Sequence, residues 1–297
     1  MILSTTTAGW SRRFGDHEAI RMIAQAGFDA FDYSFTVHSE DNSIYGDGYR
    51  KYIRTVIETA RQNNITCNQA HAHIPTGIYG DDAYNERAFL KIVRGMEIAS
   101  MLGAKAIIVH PVVWHTEGLP ANEVMEINRE FFQKLLPYCE QFQIQVALEN
   151  VFMTDQKRGC KIGGPCGWGM EFRSYLEMLD SEWFIACLDL GHSSIVGDEP
   201  HNAIRELGKN HLQALHVHDN DYCSDQHLLP YLGKLEWENI IDALAEIDYE
   251  GDFTYEADGF LRGFPDPLIP DALKFMCTVG RYLICRIEEE RLRKREK

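Results

Sequence analysis

No stretch of this sequence holds the roughly eighteen uninterrupted apolar residues that a membrane-spanning helix needs, and its start, MILSTTTAGWSRR, lacks a signal peptide's order of charge followed by a long apolar run. Positive charge is scarce: 29 Lys and Arg stand against 45 Asp and Glu, for a net charge of −16. That balance disfavours any partner gripped through a broad phosphate-facing surface, because long-range repulsion acts before local contacts form. No cysteine pair has zinc-knuckle spacing, and the eight cysteines are scattered, Cys160 and Cys166 sharing the loop GCKIGGPCG, so they read as reduced thiols. The first apolar run continues as ILSTTTAGWSRR, with no GxGxxG turn of a nucleotide-binding open sheet. These absences describe a cytoplasmic protein for which neither membrane nor nucleic acid is an expected partner.

What the chain does have is apolar content, 45% of 297 residues, arranged in a repeating order. Short runs predict strands at 1–6, 28–34, 65–72, 104–111, 144–151, 184–192, 212–219 and 252–258. Between them lie stretches such as YRKYIRTVIETARQNN, NERAFLKIVRGMEIASMLG and WENIIDALAEID, whose apolar residues recur every three to four positions. A long terminal pattern covers 271–294. Strand and helix alternate through eight units, and the strands are apolar enough (AIIVH, IACLD) to be buried on both faces. No linker or low-complexity tract divides the chain, so 1–297 is expected to form a single (β/α)8 TIM barrel.

In such barrels chemistry sits where the strands end. The polar residues there are His71, His110, Glu149, Asp189 with His192, His216 with His218, and Glu256, followed beyond the seventh strand by Asp225 and His227. Each can ligate a divalent cation, and mixed imidazole and carboxylate donors suit zinc, manganese or cobalt better than calcium. A lone histidine at a strand end is more often a hydrogen-bonded structural residue, and Asp219 and Asp221 are explained as turn caps. The same placement on six strands is what points to a metal site. Clustered carboxylates at one mouth would also repel one another without a cation.

In their order along the chain, GFDAFDYS, HAHIP, IIVHP, ALENV, CLDLGHS, HVHDND, DQHLLPYLGKLEW and IDYEGDFTYEA resemble the xylose isomerase-like barrel superfamily. That superfamily includes sugar and sugar-phosphate isomerases and epimerases, inosose dehydratases and endonuclease IV-type repair enzymes. The resemblance implies one divalent metal held by Glu149, Asp189, His216 and Glu256, with Glu149 and Glu256 also exchanging protons with substrate. His216 is preferred to His218 because the superfamily's seventh-strand ligand precedes an acidic residue by three. His218 is then a neighbour facing substrate or packing outside the ligand set. The endonuclease branch implies further zinc ions on His71, His110, His192, Asp225 and His227.

The reading favoured is a metal-dependent isomerase or epimerase of a sugar, sugar phosphate or related polyol. Its alternatives are an endonuclease IV-like zinc phosphodiesterase acting on abasic DNA and a non-catalytic sugar-binding barrel. The segment HDNDYCSD lacks the Glu and Arg that epimerases use to grip substrate, and the loops after strands two and four are acidic or aromatic rather than basic. The resemblance also implies a homo-oligomer. The stretch 151–171 is long for a βα connection and carries Lys157, Arg158 and Lys161 among glycines, as either a surface excursion or a lid. Trp10, Trp114 and Trp168 are candidates to wall a sugar.

Overall fold

Apolar runs flanked by turn residues become strands here, and three-to-four spacing becomes helices that cover them. The computed structural model describes residues 1–38 and 44–296. The order is β1 (Leu3–Thr6), α1 (Ala8–Phe14), α2 (Asp16–Ala26), β2 (Ala30–Ser34), α3 (Tyr49–Gln62), β3 (Thr66–His71), α4 (Asp82–Leu102), β4 (Ala106–Val109), α5 (Ala121–Phe142) and β5 (Gln145–Glu149). It continues with β6 (Phe152–Asp155), β7 (Cys160–Gly163), α6 (Gly169–Leu179), β8 (Phe184–Asp189), α7 (Leu190–Ile195), α8 (Pro200–His211), β9 (Leu212–His216), α9 (Trp237–Glu246), β10 (Phe253–Tyr255) and α10 (Ile269–Arg295).

All eight predicted strands are present, paired in parallel in the order β10-β1-β2-β3-β4-β5-β8-β9. The ring closes where Val217, just past β9, bridges Tyr255 of β10. The chain is a (β/α)8 TIM barrel. Local chemistry sets the helix ends: Asp81 accepts the Tyr84 N–H at 3.0 Å to start α4, and Gly103, with φ of 85°, ends it in the left-handed region that favours glycine. Within the stretch 151–171, read from sequence as an excursion or a lid, residues 152–163 form a two-stranded antiparallel hairpin in which Phe152 faces Gly163 and Thr154 faces Lys161.

Side chains alternate along each strand, so every barrel strand has an outer and an inner set. The outer set, including Ile107, Leu148, Leu188, Leu215 and Phe253, packs against the helices as the main core. The inner set splits in two. On β4, β5, β8 and β9 it is apolar and small: Ala106, Ile108, Ala147, Ile185, Cys187 and Ala214 form their own cluster.

On β2, β3 and β10 the inner set is polar and hydrogen-bonded. A register shift between Phe31 and Asp32 pairs them with Cys67 and Gln69, leaving Asn68 as an extra residue that also reaches the interior. Asn68 Nδ2 donates to Asp252 at 3.2 Å and to Thr254 Oγ1 at 3.1 Å, Thr254 Oγ1 donates to Gln69 Oε1 at 3.2 Å, and Gln69 Nε2 donates to Asp32 Oδ2 at 3.0 Å. This chain runs up the barrel to the mouth.

Candidate metal centre

The inner register carries the candidate site. Two residues beyond Ile108 stands His110, beyond Ala147 stands Glu149, beyond Cys187 stands Asp189, beyond Ala214 stands His216 and beyond Thr254 stands Glu256. Period-two alternation thus aims each at the barrel axis as the apolar run ends. Further inward residues are His71, two beyond Gln69, and His218, two beyond His216. All the predicted residues meet in one mouth, in groups whose donor atoms lie within 4.8 Å of one another.

The first group is His71, His110 and Glu149. His71 Nε2 lies 3.2 Å from His110 Nε2 and 3.4 Å from Glu149 Oε2, and His110 Nε2 is 2.9 Å from the same oxygen. Bonds of about 2.0–2.1 Å to a tetrahedral cation place neighbouring donors about 3.3 Å apart, so the spacing fits zinc. Glu149 Oε2 is buried and accepts no well-aligned hydrogen bond despite these neighbours. That is the arrangement of lone pairs aimed at a common point.

The second group is Glu149, Asp189, His216 and Glu256. His216 Nδ1 faces Glu149 Oε1 at 3.0 Å and Glu256 Oε2 at 3.2 Å, while its Nε2 is 3.3 Å from Asp32 Oδ2. The two oxygens of Glu149 therefore face different groups. The third group is His192, His218, Asp225 and His227. Asp225 Oδ2 lies 3.1 Å from His227 Nε2 and 3.7 Å from His192 Nε2, and His218 Nε2 is 2.9 Å from Asp189 Oδ1. His218, expected as a neighbour, is fully buried between Asp189 and the ring of His227, stacked at 4.2 Å. A Cβ on Gly191 would fall 1.9 Å from His218 Cε1, so only glycine fits there.

Tautomers are fixed by backbone carbonyls, as is usual for metal-binding imidazoles. Nδ1 of His71 faces Ala72 O at 3.0 Å, Nδ1 of His192 faces Asn150 O at 2.9 Å, and Nδ1 of His227 faces Glu256 O at 2.6 Å. With Nδ1–H donating, each Nε2 lone pair is left for the mouth.

Burial alone pushes the Glu149 carboxyl up, yet the charges of His216 and His110 outweigh it and hold it well below the ordinary carboxylate range. Burial opposes charge on His227, but its hydrogen bond to Asp225 raises it to about 10. Asp225 is lowered in turn, burial being outweighed by His192 and His227. In an unfolded chain His227 would titrate near 6.5. Its proton thus contributes stability to the metal-free fold below that value, and the contribution is lost as pH rises through about 10. Since a ligating imidazole must be neutral, adding zinc to metal-free protein at pH 7 is expected to release protons, and zinc affinity is expected to rise with pH. Titration in buffers of different ionisation enthalpy measures this; proton uptake or no exchange would contradict it.

The model of the xylose isomerase-like TIM-barrel family matches residues 20–279. The chain belongs to that family. This xylose isomerase-like barrel is 27% identical over 165 residues to an uncharacterized protein of Sinorhizobium fredii, covering 54% of this chain and only 50% of that one. It is 25% identical over 238 residues to an uncharacterized protein of Methanocaldococcus jannaschii, 76% of this chain and 73% of that one. Among solved structures it is similar to a D-psicose 3-epimerase in the presence of D-fructose, at 15% identity, 95% and 99% coverage of the two chains and a TM-score of 0.73. A D-tagatose 3-epimerase-like protein gives 17%, 96% and 100%, with a TM-score of 0.72. The IolI protein with a bound zinc atom gives 14%, 97% and 98%, with a TM-score of 0.71. At these identities the likeness is one of fold.

Two residues outside the predicted set serve this xylose isomerase-like site. Asp32 holds Nε2 of His216, and Asn150 ties two strand ends together, its side chain donating to Asp189 O at 2.9 Å and accepting the Asp189 N–H at 2.7 Å. Asp32 lies in the expected inward register of FDAFDYS but mid-run, where a search of strand ends passes over it. Asp219 is structural as expected, accepting from the N–H groups of Tyr231 and Leu235 and the indole of Trp237.

A cavity of about 420 Å³ opens beside the centre, lined by His110, His192 and Asp225 and by Ile74, Trp114, Phe152 and Met153. Phe152, from the hairpin, packs edge-on to His192 at 5.0 Å. Of the three tryptophans, only Trp114 lines this cavity. Trp10 is buried, and Trp168 lies over Gly163 at the base of the hairpin.

Proposed function

We propose that the protein is a divalent-metal-dependent isomerase or epimerase of a sugar or related polyol. The observation carrying this reading is the pair Glu149 and Glu256 on either side of His216 Nδ1, near a cavity lined by His110 and His192 together with Trp114, Phe152 and Met153 and, among the described residues, by no Lys or Arg. Aromatic and aliphatic walls suit the C–H faces of a sugar, and the absent cations disfavour a duplex phosphate backbone. Similarity of fold to a D-psicose 3-epimerase and a D-tagatose 3-epimerase-like protein supports the same class.

Glu149, Asp189, His216 and Glu256 would hold manganese, zinc or cobalt. A cation there supplies Lewis-acid polarisation of a carbonyl next to the reacting C–H. The Glu256 side chain, 17% exposed where that of Glu149 is 0%, faces the substrate and takes the proton. Glu149 is the opposing carboxylate of the pair, kept ionised by the histidines around it. Asp32 fixes the ring of His216, and the Phe152 hairpin limits water at the cavity wall. The first and third groups are proposed as places for additional zinc.

The three contiguous groups also favour a second reading, a zinc phosphodiesterase of the endonuclease IV type. One experiment separates the two: metal content per chain, with a panel of ketoses in deuterated water followed by NMR. Solvent deuterium entering next to the carbonyl, lost with a chelator and regained with Mn, Zn or Co, is the expected result. Cleavage of abasic duplex DNA without exchange would overturn it in favour of the phosphodiesterase.

A further inference from the structure

A second hollow, of about 310 Å³, lies on the same rim, between α1 and the 3-10 turn Asp258–Leu261 that follows β10. Arg12, Arg13 and Arg262 all line it. Three arginines around one hollow run against a composition of 29 basic and 45 acidic residues. Arg13 is engaged: it donates to Phe264 O at 3.2 and 3.1 Å and pairs with Asp266. The guanidinium groups of Arg12 and Arg262 have no hydrogen-bond or ion-pair partner among the described residues. Both are exposed on the wall of one hollow.

The carboxylate on the wall, Asp258, has Oδ1 3.7 Å from His227 Nδ1, while a Cβ on Gly9, another wall residue, would meet its Oδ2 at 3.3 Å. Asp258 thus lines the hollow and also approaches His227 of the third ligand group. The framework there is tight, since a Cβ on Gly9 of α1 would meet Asp258 Cβ at 3.2 Å. The wall is held by Trp10, which is 3% exposed.

We infer that this hollow binds an anionic group of the substrate, a phosphate or a carboxylate, gripped by Arg12 and Arg262. Guanidinium forks match the oxygens of both anions bidentately, and two unpartnered cations repel each other until an anion enters. A local positive spot on a chain of net charge −16 suits one anionic group better than a polyanion. This rests on the proposed function: the reacting carbon faces the metal centre while the anionic end reaches past Asp258.

The test titrates inorganic phosphate into the metal-loaded protein and into the double variant Arg12→Gln/Arg262→Gln. Cations at the centre also attract phosphate, so the readout is the difference between the two isotherms. The wild type is expected to bind one more phosphate per chain, with affinity at that site lowered about tenfold or more in the double variant and partly restored by Arg12→Lys/Arg262→Lys. Metal content and unfolding temperature report that the variants remain folded and loaded. Identical isotherms would overturn the inference. Where a ketose is turned over, the double variant should lower the preference for its phosphate ester over the parent sugar; an effect confined to a sugar acid would assign the hollow to carboxylate. Failure of ketose turnover with the phosphate difference intact would count against the proposed reaction and leave the subsite standing.

Discussion

Glu149→Gln is expected to leave the barrel folded but largely free of metal. Its carboxylate has an oxygen toward each of two ligand groups, Oε1 at 3.0 Å from His216 and Oε2 at 2.9 Å from His110. The amide keeps the shape but removes the charge and turns one ligand atom into a donor. Replacing groups that merely orient ligands costs metal affinity about 10–100-fold, so losing a ligand facing two groups should exceed that. The fold should survive because the histidines beside Glu149 can shed their protons and leave no stranded charge. Elemental analysis of the purified variant, with competition against a chelator, provides the measurement. A full metal complement in Glu149→Gln would mean that this residue is not a ligand.

Glu256→Gln is expected to separate chemistry from metal binding. Glu256 contributes to the second group, whose other members Glu149, Asp189 and His216 remain in place. Metal content should therefore fall less than in Glu149→Gln. Turnover should fall about 10²–10⁴-fold, the usual contribution of a positioned acid or base, with a smaller change in KM. Wild-type kcat in a metal-loaded Glu256→Gln protein would remove Glu256 from proton transfer.

The sequence made the strands legible because they are short, apolar and bounded by turns, and the ligand groups legible because each stands where such a run stops. His110 after AIIV and Asp189 after FIACL are examples. Asp32 was hidden by the same rule: it sits inside a run, between Phe31 and Tyr33, and only the closed barrel shows that its inward neighbour is His216. The hairpin at 152–163 gave no strand signal because its two strands are four residues each and only partly buried, with Lys, Asp and Gly among them. A short two-stranded ribbon depends on what it rests against, here the ring of His192 beneath Phe152. Arg12 and Arg262 are far apart in sequence and carry no local motif, so their shared hollow is a product of the fold alone.

The hydrogen-bonded chain inside the barrel, from Asp252 through Asn68, Thr254 and Gln69 to Asp32, ends on the imidazole of His216. Nε2 of that ring is thus held from beneath, by residues that do not line the cavity above. Changes in the hairpin can re-cut the cavity while Asp32 keeps its hold on His216, whereas an apolar residue at Asn68 would disturb that hold from below without touching the cavity lining.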